Sequence, residues 1–351
     1  MNNLTTTAYW TRRAVKGLAV FIVVFFVLRS AIGVITAYWK QKNPPQLPPP
    51  DVAFGQLPNI VKPKQGIEQP NNFILETIDS SLPLMPEQAK VYFVSSQAPK
   101  FLALENATRI ANSLNFFSEP EKINESLYRY RNQTDNTTLT VNPLTESLKF
   151  EYPFLKDQTL ASLRLTSQEN AISAANSFLG KTGQDNSDLL AQPAEVILKK
   201  LTPTQLISAP SISEANIAQV NYSRGLMEEL FPIYSPDLDK PNVYVIVSGS
   251  SSNKKQVVEA GYNHYFIDEE KFATYPLKPI SQAWEELKEN EYLLAKIDNT
   301  FKEGSLAIRS VELGYLDPKI PTNFLQPIYI FKGDYQFFGF VPAISVEWLS
   351  N

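Results

Sequence analysis

The chain has 351 residues, 43% of them hydrophobic, with 26 Pro, no Cys and a single His. At roughly 100 to 200 residues per domain there is room for two modest domains or one large one. Without cysteine there is no disulfide, thiol nucleophile or thiolate metal site; one histidine forbids an imidazole ligand cluster and leaves His264 as the sole base for a Ser-His-Asp triad. Arg12, Arg13, Lys16, Arg29, Lys40 and Lys42 are the only charged residues among the first 42, so a chain of net charge −4 carries −10 beyond them. An acidic body lacks the Lys and Arg footprint that phosphate backbones require, which argues against nucleic acid as a partner.

The first expected element is a transmembrane helix over residues 17–39. Thirteen of these 23 residues are Leu, Ile, Val or Phe and only Arg29 is charged. At about 1.5 Å per residue the helix would cover roughly 34 Å, against about 30 Å of hydrocarbon. Arg29 would cost about 3 kcal/mol, and the large apolar residues return roughly 0.3 to 0.6 kcal/mol each. Arg12, Arg13 and Lys16 place residues 1–16 in the cytoplasm by the positive-inside bias, giving a single-pass protein in the cell membrane with an extracytoplasmic body. Arg29, Ser30, Ala31 and Gly33 form a candidate helix contact in the bilayer, since a costly Arg beside small residues suits close approach of a second helix. The rival is a cleaved signal peptide with Gly17 to Leu28 as its core and Ala31-Ile32-Gly33 as its cleavage site, which Arg29 interrupts.

Residues 40–71 read as a Pro-rich linker, opening with Asn43-Pro44-Pro45-Gln46-Leu47-Pro48-Pro49-Pro50, whose composition favours extended polyproline geometry. Within it Phe54-Gly55-Gln56-Leu57-Pro58 is an apolar island expected to dock on the body. The folded part begins near Asn72. Strands are expected over Phe73 to Ile78 and Lys90 to Val94, then a helix from about Phe101 to Leu114 with Ala103, Ala107, Ile110, Ala111 and Leu114 on one face. Strands follow near 126–131, 137–141 and 147–152. A second helix opens at Ser167 as N-cap and stops at Gly180. Further strands are expected over 195–201, 216–223, 243–247 and 257–267, then a helix from Ser281 and strands over 306–315, 327–331 and 335–341. A helix followed by an antiparallel meander thus recurs, and Thr166-Ser167-Gln168 and Ile280-Ser281-Gln282 open two of the helices alike. The expected class is α+β, an N-terminal transmembrane helix followed by repeated helix-plus-meander units at 72–165 and 166–351.

The Ser-led helix with an inward Ala, then Leu313-Gly314-Tyr315, Leu325-Gln326-Pro327-Ile328-Tyr329-Ile330-Phe331 and Val341-Pro342-Ala343, resembles the YycH/YycI regulatory proteins and the wider PepSY-like group. The resemblance covers residues 166–351 and the anchor topology. It implies a non-enzymatic extracytoplasmic module that binds or restrains a sensor kinase, a peptidase or envelope machinery, and it carries over no catalytic residue. The Pro-rich linker and the Phe54 island depart from that pattern.

Ser251-Ser252-Asn253-Lys254 and Lys181-Thr182-Gly183 match two marks of penicillin-binding enzymes, in the wrong order and on the wrong elements. His264 lies between Tyr262 and Tyr265 in a strand-like run, where a packing role is the simpler reading; chemistry there needs a carboxylate or hydroxyl brought by the fold. Asp237-Leu238-Asp239, Glu228-Glu229 and Glu269-Glu270 read as solvated loops, since the first lacks the Gly and distal Glu of a calcium loop. No cofactor or metal is expected. The sequence therefore favours a membrane-anchored protein-binding or regulatory module of the bacterial envelope, with an envelope or membrane protein as partner. The alternative is a carboxylate-dependent glycan hydrolase of the cell envelope.

Overall fold

The structure is a computed structural model. It describes residues 3–42, 48–60, 70, 72–95, 102–298, 300–319 and 322–350. The chain divides into two compact units, Met1–Pro49 and Pro50–Asn351. Residues 43–47 of the Pro-rich run lie outside the described residues.

The first unit holds helix α1 (Asn3–Lys42). Among the described residues no helix is long and apolar enough to cross a membrane. The expected transmembrane helix, and the single-pass localisation drawn from it, are corrected accordingly. Arg29 stands inside the apolar stretch of α1 (Asn3–Lys42), where a charged side chain costs about 3 kcal/mol on insertion.

In the second unit the described α-helices are α2 (Ala103–Ser113), α3 (Gln158–Ala161), α4 (Gln168–Lys181), α5 (Ser187–Leu190), α6 (Asn253–Gln256) and α7 (Ile280–Lys288). Spacing explains the longer ones: α2 buries Ala103, Ala107, Ile110 and Ala111, and α4 buries Ala171, Ala174, Ala175, Phe178 and Leu179. The Ser167 hydroxyl accepts from Asn170 N at 3.1 Å, capping α4. Gly180 does not stop this helix. It continues to Lys181, the Thr182 hydroxyl donates to Leu179 O at 2.7 Å, and Gly183 at φ +71° turns the chain out in the left-handed conformation glycine tolerates.

The larger sheet has nine described strands, all antiparallel. In spatial order they are Glu121–Asn124, Leu127–Arg131, Thr138–Asn142, Ser147–Glu151, Val257–Tyr262, Val243–Ser248, Ile217–Tyr222, Glu195–Leu201 and Leu206–Ser208. Thr138–Asn142 buries alternate residues, as a strand with one covered face does, while Ile217–Tyr222 and Val243–Ser248 are buried at every position. Helices α2 and α4 lie on this sheet and share its core with Phe150, Val245 and Tyr262.

The second sheet runs Ile233–Tyr234, Ser305–Leu316, Phe324–Gly333, Phe337–Pro342 and Leu293–Lys296. Asn72–Leu75 joins it parallel to Ser305–Leu316, and Gln88–Ser95 bridges Phe266–Pro276 to Phe324 and Leu325. The body is therefore a mixed α/β fold, which corrects the expected string of helix-plus-meander units. Such units close their sheets from consecutive strands, whereas here parallel ladders join segments far apart in sequence, Asn72–Leu75 to Ser305–Leu316 and Leu57–Pro58 to Leu349–Ser350. The apolar island docks: Leu57 is fully buried, Leu57–Pro58 pairs with Leu349–Ser350, and Phe54 stacks on Phe324 at 5.0 Å.

Candidate functional site

The chain leaves the nine-stranded sheet after Tyr262 and enters the strand Phe266–Pro276 through Asn263, His264 and Tyr265. Beside this crossing is a cleft of about 350 Å³, a volume at the lower end of ligand sites. Five segments meet there: Glu146 in a turn, Gln184 to Asp188 running from the exit of α4 into α5, Arg224 to Met227 after the strand Ile217–Tyr222, Ile233, and Tyr262 to Glu269.

Its floor is a chain of charges. His264 Nε2 lies 2.9 Å from both carboxylate oxygens of Asp188. Since a carboxylate only accepts, Nε2 carries the proton and donates it, so the 3.3 Å approach of Arg224 Nη1 to the same nitrogen is a packing contact. Arg224 is committed elsewhere. Its Nε donates to Asp317 at 2.9 Å, its Nη2 donates to Tyr265 O at 2.8 Å, and Nη1 sits 3.7 Å from Asp188. The Arg224 side chain is 7% exposed and that of Asp317 9%, against 41% for Asp188, so the first pair is sealed and the second faces the cleft.

Electrostatics follow this arrangement. Partial burial pushes the Asp188 carboxyl up, but the His264 hydrogen bond and charge, helped by Arg224, hold it below its ordinary value. Asp185 is also held low, by the backbone N–H and hydroxyl of Ser187. Burial pushes the Tyr262 and Tyr265 phenols up, so both stay protonated at neutral pH.

The arrangement offers little chemistry. Ser187 lines the cleft, but among the described residues its hydroxyl makes no hydrogen bond to His264, so no nucleophile–base pair is assembled. Among the described residues no three His, Asp or Glu side chains converge as a metal set. The rim, by contrast, exposes large apolar groups, Leu226 at 54% and Phe266 at 69%.

Of the sequence candidates, His264 has the carboxylate that a functional role required, and Glu269 joins the cleft. Asp237 lies away from it, accepting from Lys240 N and pairing with Lys319 at 3.2 Å. Glu228 accepts from the Tyr92 hydroxyl at 2.6 Å. The Lys181-Thr182-Gly183 tripeptide is the exit of α4, and the Ser251 to Lys254 run leads into the short helix α6. Arg29, Ser30, Ala31 and Gly33 are exposed on α1 and belong to the first unit. Asp188, Arg224 and Asp317 escape a reading of the sequence, because Asp188 stands in the one-turn helix α5 and the other two just beyond strand ends, with no motif around any of them.

No known protein family matches the chain, and no curated protein matches it in sequence. Among solved structures, an uncharacterized protein from Eubacterium rectale ATCC 33656 is similar at 12% identity, over 74% of this chain and 84% of that one, with a TM-score of 0.42. The Bacillus megaterium YpeB C-terminal domain is similar at 13% identity, over 72% of this chain and 95% of that one, with a TM-score of 0.31. These are distant likenesses of fold. No family or sequence match supports assignment to the YycH/YycI proteins.

Proposed function

We propose that the chain is a non-enzymatic protein-binding or regulatory module whose cleft at His264 holds part of another protein. The observation behind this reading is the division of labour within the cleft. Arg224, Asp317, His264 and Asp188 are engaged with one another, while Leu226 and Phe266 stand exposed at the rim. Tied charges fix a shape; exposed apolar groups beside a cavity suit a docking partner. Placement in the bacterial envelope, with a sensor kinase or envelope machinery as partner, rests on the sequence resemblance of residues 166–351 alone.

The alternative, a carboxylate-dependent glycan hydrolase, needs one carboxyl held protonated near neutral pH to act as general acid. Asp185 and Asp188 are shifted the other way. Incubating the purified chain with peptidoglycan tests the choice. The expected result is no soluble glycan product. Product release that disappears in Asp188→Asn or Glu269→Gln would overturn the binding reading.

A further inference from the structure

The cleft carries more carboxylate than its own cations balance. Of its acids, Asp188 is shared with His264, and Glu146 lies 3.9 Å from Arg109, a loose and exposed pair. Asp185 and Glu269 are exposed, and among the described residues neither has a cation within ion-pair distance. Arg224, the one Lys or Arg lining the cleft among the described residues, is buried against Asp317 and does not offset them.

A second feature is independent of charge. Gln184 also lines the cleft; its Nε2 donates to Glu146 O, and its buried Oε1 has no hydrogen-bond partner among the described residues. A buried acceptor left unmade costs free energy until a donor reaches it. The surplus acids and this acceptor thus ask for one kind of group, a cation rich in N–H donors. The exposed Leu226 and Phe266 ask for apolar surface beside it.

Building on the binding reading above, we infer that the cleft receives a basic side chain, arginine or lysine, flanked by apolar residues in a partner protein. The guanidinium or ammonium sits beside Asp185 and Glu269, the Gln184 amide turns to present its Oε1 to it, and the flanking residues cover Leu226 and Phe266. Affinity comes from the apolar contact and selectivity from the charge.

His264 makes this testable, because one histidine in the chain gives one imidazole signal, located in the cleft. The full-length protein is titrated with acetyl-Leu-Arg-Leu-amide and with its Gln and Glu counterparts while the His264 Cε1–H resonance is followed. The Arg peptide is expected to move the signal saturably, the Gln peptide more weakly and the Glu peptide least, with the Arg response reduced by salt. Glu269→Gln, at an exposed position, should weaken the Arg peptide by about two- to five-fold and leave the Gln peptide unchanged. Equal binding of all three peptides, or no saturable shift with any, overturns the inference. Equal binding would still leave a protein-binding cleft standing, whereas glycan hydrolysis would remove the reading beneath it.

Discussion

His264 and Asp188 stand 76 residues apart in sequence, yet the imidazole Nε2–H meets both oxygens of one carboxylate at 2.9 Å. The contact holds α5 against the segment that crosses from one sheet to the other. Asp188→Asn keeps the shape and removes the charge. Because the carboxylate is 41% exposed, the loss should be modest, about 0.5 to 1 kcal/mol in chemical denaturation, with a displaced His264 resonance.

Arg224 should matter more. Arg224→Met would leave Asp317 buried without its cation and is expected to cost about 3 to 5 kcal/mol. The double variant Arg224→Met with Asp317→Leu should recover much of this, since no buried charge is then unpaired. Urea unfolding of both variants checks the pattern. A single variant as stable as the parent would refute the sealed pair.

The acid limb of stability has a defined sign. Burial raises the Asp157 carboxyl, but hydrogen bonds from Lys255, Thr159 and Tyr152 outweigh it and hold the group well below the usual range, and Asp188 is depressed too. The unfolded chain then takes up protons first. This stabilisation is complete above the ordinary carboxylate range and is lost as pH falls below about 4. Thermal melts should therefore drop on that side, and Asp157→Asn should flatten the drop. It should also cost about 1 kcal/mol at neutral pH, because Lys255 loses its charged partner while the amide oxygen still caps α3.

Two glycines separate space from conformation. A Cβ on Gly249 would overlap the backbone carbonyl of Arg164, whereas one on Gly180 meets nothing within 4 Å. Gly249→Ala should lose about 1 to 3 kcal/mol by overpacking, and Gly180→Ala should gain about 0.5 kcal/mol by stiffening the unfolded chain. Melting temperatures of the two variants should move in opposite directions.

Local physics made the helices legible: the apolar faces of α2 and α4 and the Ser167 cap are written in residue spacing. Gly180 misled because helix exit is decided by backbone conformation, which the left-handed Gly183 supplies instead. Pairing was not legible. Ser147–Glu151 lies beside Val257–Tyr262, and Asn72–Leu75 beside Ser305–Leu316, through long-range register that no short pattern announces. The cleft inherits that blindness: the sequence shows a lone His264 and conceals Asp188, Arg224 and Asp317, which only these pairings bring to it.

Binding of protein at the cleft can be read by site-specific photo-crosslinking in the native host, with benzoylphenylalanine replacing the exposed Phe266. A discrete heavier species is expected, lost when Leu226→Glu is added and absent when the probe stands instead at Phe117, which is 76% exposed and does not line the cleft. No adduct at position 266, or the same adducts from position 117, would contradict it.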